Sequence, residues 1–99
     1  MGAQTDGVTV LIPTLLRPLI GDQSSVPVAA DSPVPLGHLL DTLHQGYPVF
    51  ARRIRDETGA LRRYVNVYID GEDVRRLAGL ATPVPPGAEV MIIQSVAGG

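Results

Sequence analysis

The leucine spacing in residues 36–43 constrains the fold more than any other feature of the sequence. Leucines recur at i, i+3, i+4 and i+7, which is the spacing of one face of an α-helix: Leu36, Leu39, Leu40 and Leu43. Gly46 and Pro48 follow and are typical of a helix end. Phe50 and Ile54 extend the same apolar surface in a short helical turn. The sequence therefore predicts a single helix of about three turns with one apolar face to bury.

The other apolar segments alternate as β-strands do. Residues 64–69 alternate strictly, and Asp70-Gly71 after them is a tight-turn signal. Pro27 places the second strand at a sheet edge, because proline lacks the N–H that a central strand donates. Residues 14–23 predict a wide turn. The predicted strands are residues 8–12, 24–30, 64–69 and 89–96. This order favours a small α+β domain in which one helix packs across one sheet.

The strand alternation also predicts which apolar side chains face away from the helix. They are Leu11, Tyr64, Tyr68, Met91 and Ile93. A chain of 99 residues forms one compact core and has nothing left to cover a second sheet face. Scattered exposed apolar side chains are normal, but a contiguous apolar surface usually marks an interaction site. We therefore expect a partner-docking patch on this face.

Composition excludes several classes of protein. The absence of cysteine excludes disulfides, thiolate nucleophiles and cysteine-ligated metal sites. A net charge of −2 argues against a protein that neutralises many nucleic-acid phosphates. No apolar run approaches the roughly 20 residues of a membrane span, and no leader sequence opens the chain. We expect a cytoplasmic protein that binds neither nucleic acid nor membrane.

The sequence holds no constellation of a self-sufficient enzyme. His38 and His44 point in different directions on the predicted helix and cannot share a metal ion. A glycine-rich phosphate loop and a Ser/His/Asp set are both missing from the sequence. All eight basic residues are arginine, so the N-terminus is the only amine. We expect a protein that is not an enzyme and binds no metal or cofactor itself.

The diglycine Gly98-Gly99 is the one feature above background. It follows the last predicted strand, and two residues without Cβ form a thin thread that can enter a narrow channel. The group delivered is the α-carboxylate of Gly99. A carboxylate becomes an acyl donor once adenylation by ATP gives it a good leaving group. An activated acyl group can then pass to a sulfur nucleophile.

The whole chain resembles the ubiquitin-like sulfur carriers of the MoaD/ThiS family. The resemblance rests on residues 12–18, on residues 64–75, on residues 79–82 and on residues 89–99 with their diglycine. It is strongest toward the branch that serves cysteine biosynthesis. It implies a β-grasp (ubiquitin-like) fold, one mixed sheet with a single helix packed across it. Residues 1–99 would form a single carrier domain, with residues 94–99 as a flexible tail.

The resemblance also implies the site and its partners. An adenylyltransferase of the ubiquitin-activating type, using ATP and magnesium, would convert Gly99 to an acyl-adenylate, and sulfur transfer would give a thiocarboxylate. A pyridoxal-phosphate cysteine synthase would accept the sulfur, and a zinc metallopeptidase would release cysteine. The catalytic positions are Gly98 and Gly99. Partner contacts would include Arg17, Val96 and Ala97 in addition to the sheet patch.

Other functions remain open on the residues alone. A related carrier could be the small subunit of molybdopterin synthase or could serve thiazole formation. A ubiquitin-like modifier would join Gly99 to lysines of target proteins through the same adenylate. A plain binding module would not need Gly98-Gly99 at all.

Overall fold

A computed structural model describes residues 7–95, and residues 1–6 and 96–99 lie outside the described part of the chain. The elements are β1 (Gly7–Leu11), β2 (Ser25–Ala29), β3 (Val34–Pro35), α1 (Leu36–Gly46), α2 (Pro48–Ile54), β4 (Val65–Ile69), β5 (Glu72–Asp73), β6 (Pro83–Val84) and β7 (Glu89–Gln94). Five strands form a sheet in the order β2-β1-β7-β4-β5, and β3 pairs with β6. The sheet is mixed, because β1 runs parallel to β7 whereas its other pairs are antiparallel.

The helix stripe and one face of the sheet meet in one core. The four leucines of α1 are no more than 3% exposed. Opposite them, Val10, Val67 and Val90 are fully buried in three neighbouring strands. Burying one such side chain contributes roughly 1.5–3 kcal/mol. The predicted fold, a mixed sheet with a helix packed across it, is confirmed, and so is the assignment of these positions to the core.

The segment after α1 is more regular than the predicted short turn. α1 ends at Gly46, and Pro48 is the first residue of α2, which buries Phe50 and Ile54. A proline at the first helical position needs no N–H partner and has the helical φ already. The same residue that predicts a helix end therefore also begins a second, shorter helix.

The predicted wide turn contains a 3₁₀ helix, Thr14–Ile20. Leu16 and Ile20 are buried in the core, which anchors a segment without regular apolar periodicity in the sequence. The helix ends at Gly21, whose φ of 70° lies in the left-handed region that glycine adopts without strain.

A two-residue turn joins β4 to β5, as Asp70-Gly71 predicts. Both residues have positive φ, 48° and 89°, which is the requirement of the type I′ turns that favour this dipeptide. The hairpin pairs Tyr68 with Asp73 and makes β5 the edge of the sheet.

Candidate functional site

The last described residues of the chain are the end of β7 and Ser95. β7 includes Gln94, the first residue of the predicted tail, and the Ser95 N–H then donates to the Tyr64 carbonyl oxygen at 2.8 Å. Because β1 and β7 are parallel, the C-terminal ends of both strands lie at the same end of the sheet. The predicted site residues of the tail, Val96, Ala97, Gly98 and Gly99, lie outside the described residues.

The sheet face away from the helices carries most of the predicted patch. Leu11 pairs with Met91, and Met91 pairs with Tyr68, so these three half-buried side chains form one row across the central strands. Ile93 lies two residues further along β7 on the same face, opposite Asn66, and is 39% exposed. The structure brings these four predicted residues together on one face.

Tyr64 lies elsewhere than predicted. β4 begins at Val65, and Tyr64 belongs to the preceding turn, which the Val65 N–H closes onto the Arg62 carbonyl at 3.0 Å. Its side chain packs against the hydrophobic core. The alternating pattern in the sequence includes Tyr64, one residue before the strand begins. A side chain in a turn need not follow the alternation of a strand, so the pattern misplaced it.

A groove of about 520 Å³ runs along the ends of β1 and β7. Leu11, Met91 and Ile93 contribute apolar lining, and the Pro13–Leu15 segment adds a wall. Leu15 is 65% exposed, the most exposed large apolar side chain of residues 7–95. Leu15 was not among the site residues predicted from the sequence. Its only signal is the pair Leu15-Leu16 in a short turn, where one leucine enters the core and its neighbour cannot.

Arg17 is the only charged residue among the described residues that line the groove. Its Nε donates to the Ile12 carbonyl oxygen at 3.0 Å, and the side chain is half-buried. This hydrogen bond fixes the guanidinium beside the apolar lining. The groove therefore fits a partner segment that carries an apolar side chain close to a carboxylate.

The opposite side of the domain has a smaller, mixed-charge depression of about 360 Å³ between the helices and the loop after α2. An ion pair joins Arg55 Nη2 to Asp41 Oδ1 at 2.7 Å within it. In the loop, hydrogen bonds from the Thr58 hydroxyl and backbone N–H lower the pKa of Asp56. These contacts stabilise the loop and bring no reactive pair together.

Residues 7–95 contain no group of three or more acidic or histidine side chains that could hold a metal ion. His38 and His44 are both exposed on α1. No helix in the described part is long and apolar enough to cross a membrane.

The profile of the ThiS family matches residues 10–99. The chain belongs to the ThiS family. Sulfur carrier proteins of this family are small carriers and not enzymes. The match covers the groove, Arg17 and the diglycine.

Two relatives of this chain have different functional names. It is 44% identical over 94 residues to sulfur carrier protein CysO of Mycobacterium tuberculosis, covering 93% of this chain and 98% of the relative. It is 32% identical over 83 residues to small archaeal modifier protein 3 of Haloferax volcanii, covering 84% and 88% respectively.

Solved structures of the ThiS family agree with this fold. The crystal structure of Mycobacterium tuberculosis CysO has a TM-score of 0.78 and 42% identity, with 90% of this chain and 99% of that chain covered. A chain in the Amycolatopsis orientalis BexX/CysO complex has a TM-score of 0.76 and 36% identity, with 93% and 99% covered. The domain is thus a ubiquitin-like β-grasp domain similar to CysO.

Proposed function

We propose that the chain is a sulfur carrier whose Gly99 carboxylate is adenylated and converted to a thiocarboxylate that donates sulfur in cysteine biosynthesis. The observation that carries this proposal is the 44% identity to a CysO sulfur carrier over 93% of the chain. The diglycine supports it, because a thread of two glycines can enter a channel that a side chain would block.

The reaction takes place on partner enzymes and uses one group of this chain. A carboxylate oxygen of Gly99 attacks the α-phosphorus of ATP, and pyrophosphate leaves. The terminal sulfur of a persulfide then attacks the acyl carbon and AMP leaves, which gives an acyl disulfide. A thiol attacks the donor sulfur of that disulfide, so a new disulfide forms and the thiocarboxylate is released. In cysteine biosynthesis it would add to an aminoacrylate held by a pyridoxal-phosphate enzyme.

The groove supports this function by offering a docking site at the base of the tail. Its apolar lining and Arg17 lie at the edge where β7 ends. Four residues reach at most about 14 Å when fully extended. A partner seated in the groove would therefore have its reacting centre within that distance of Ser95. An adenylyltransferase with ATP and magnesium, a sulfur-accepting synthase and a zinc metallopeptidase are the partners this proposal requires.

The test is the intact mass of the protein after incubation with a ubiquitin-activating-type adenylyltransferase, ATP, magnesium and a sulfide source. We expect the mass to increase by the difference between one sulfur and one oxygen atom. A variant lacking Gly99 is the matched control and should show no increase. An unchanged mass with several such enzymes, while the circular dichroism spectrum shows a folded protein, would contradict the proposal.

A protein modifier is the second candidate, favoured by the 32% identity to an archaeal modifier protein. In that case Gly99 would form amide bonds with lysines of other proteins. The chain has no lysine, so it could not extend such a conjugate through a lysine side chain of its own. Tagged protein expressed in its host should then accumulate in covalent adducts of higher mass that a thiol does not cleave. For the sulfur carrier, the thiocarboxylate should form without such adducts.

A further inference from the structure

Arg75 makes three side-chain hydrogen bonds at the edge of the sheet where the tail begins. Its Nη1 donates to the Val65 carbonyl and to Asn66 Oδ1, each at 2.7 Å, and its Nη2 donates to the Arg62 carbonyl at 3.0 Å. Arg75 itself is held in a 3₁₀ turn, where its N–H donates to Asp73 Oδ1 at 2.9 Å. The guanidinium therefore bonds to residues that are distant in the sequence. The backbone of Arg75 is itself held in place by the hydrogen bond to Asp73.

The acceptors of Arg75 lie on both sides of Tyr64. The Arg62 carbonyl also accepts the Val65 N–H, which closes the turn that contains Tyr64. The Tyr64 carbonyl in turn accepts the N–H of Ser95, the last described residue. The guanidinium of Arg75 thus bonds to both ends of the turn formed by residues 62–65. The Tyr64 carbonyl inside this turn holds Ser95, where the tail begins. Hydrogen bonds from a charged donor are stronger than neutral ones.

We propose that Arg75 is a positioning residue for the tail. It holds the Tyr64 carbonyl in place and thereby fixes Ser95, the residue after which the tail continues in the sequence. The effect of Arg75 on activity rests on the proposed carrier function. In that function, a fixed Ser95 would help to align Gly99 with the channel of the activating enzyme.

The first test measures amide hydrogen exchange at Ser95 and needs no partner enzyme. Arg75→Ala should speed exchange at Ser95 by roughly tenfold, because the carbonyl that holds this N–H becomes mobile. Exchange at Val67, in the middle of β4, should change much less. Arg76→Ala is the matched control, since it removes the same charge and its side chain makes no hydrogen bond to residues 7–95. Should Arg75→Ala fail to fold, Arg75→Lys keeps the charge and loses the planar fork.

The second test separates positioning from docking. In the thiocarboxylation assay, Arg75→Ala should leave KM within about twofold and lower kcat by roughly fivefold or more, because the groove is intact and the tail is misaligned. Equal acceleration of exchange at Ser95 and Val67, or equal effects of Arg75→Ala and Arg76→Ala, would overturn the proposal. If no thiocarboxylate forms even on the unmodified chain, the carrier function fails, while the Ser95 exchange result still decides whether Arg75 holds the tail base.

Discussion

Truncation of Leu15 should weaken partner docking without unfolding the domain. Leu15 is 65% exposed at the wall of the groove, so only about a third of its side chain contributes to folding. Full burial of a leucine side chain is worth roughly 1.5–3 kcal/mol. Covering the exposed two-thirds on docking would then contribute about 1–2 kcal/mol. Leu15→Ala should therefore lower affinity for the activating enzyme by about 5- to 30-fold.

The measurement is kcat/KM for thiocarboxylate formation by intact mass, with thermal unfolding of the same samples. The loss should come from KM, and the midpoint of unfolding should change by only a few degrees. Val49→Ala is the matched control, because Val49 is 51% exposed on α2, in the helix layer. Unchanged kcat/KM for a folded Leu15→Ala protein, or an equal loss for Val49→Ala, would refute the groove as the docking site.

Three further predictions test the charge, the tail and the core. Arg17→Glu reverses the charge that Arg17 brings to the groove and should reduce kcat/KM more at low than at high ionic strength, whereas Arg53→Glu on the exposed surface of α2 should not. Gly98→Ala should abolish most thiocarboxylation and leave thermal stability nearly unchanged; a large fall in the unfolding midpoint would count against an exposed tail. Phe50→Ala removes a fully buried ring and should cost about 3–5 kcal/mol, lowering the unfolding midpoint by at least about 12 °C; a smaller shift would mean that the core refills the cavity.

The fold was predictable from the sequence where periodicity was strong. The leucine stripe of α1 and the alternation in β4 report burial directly, because each period matches one secondary structure. Pro48 was ambiguous, since the same ring that ends one helix suits the first turn of the next. The segment Thr14–Ile20 has two buried and several exposed side chains in a 3₁₀ helix. Its short length gives no period, so the exposed Leu15 could not be told from its buried neighbour.

The candidate site was predictable only in part, because two of its features depend on the tertiary structure. These features are the order of the strands and the hydrogen bonds of Arg75. Alternation predicts that Leu11, Met91 and Tyr68 share one face of the sheet. They form a row only because β7 lies between β1 and β4, an order that alternation does not give. The three hydrogen bonds of Arg75 cannot be read from the sequence, because its partners lie about ten residues away in a turn whose carbonyls need not face any particular side.

The parallel pairing of β1 with β7 explains why the groove lies at the end of β7. In a parallel pair both strands end on the same side, so the loop after β1 lies beside the end of β7. The loop after β1 supplies Leu15 and Arg17, and the end of β7 supplies Ile93. An antiparallel arrangement would place that loop and the end of β7 at opposite ends of the sheet. This arrangement is favourable for the proposed carrier function, because a partner docked in the groove would lie close to the end of β7, which Gly99 follows in the sequence.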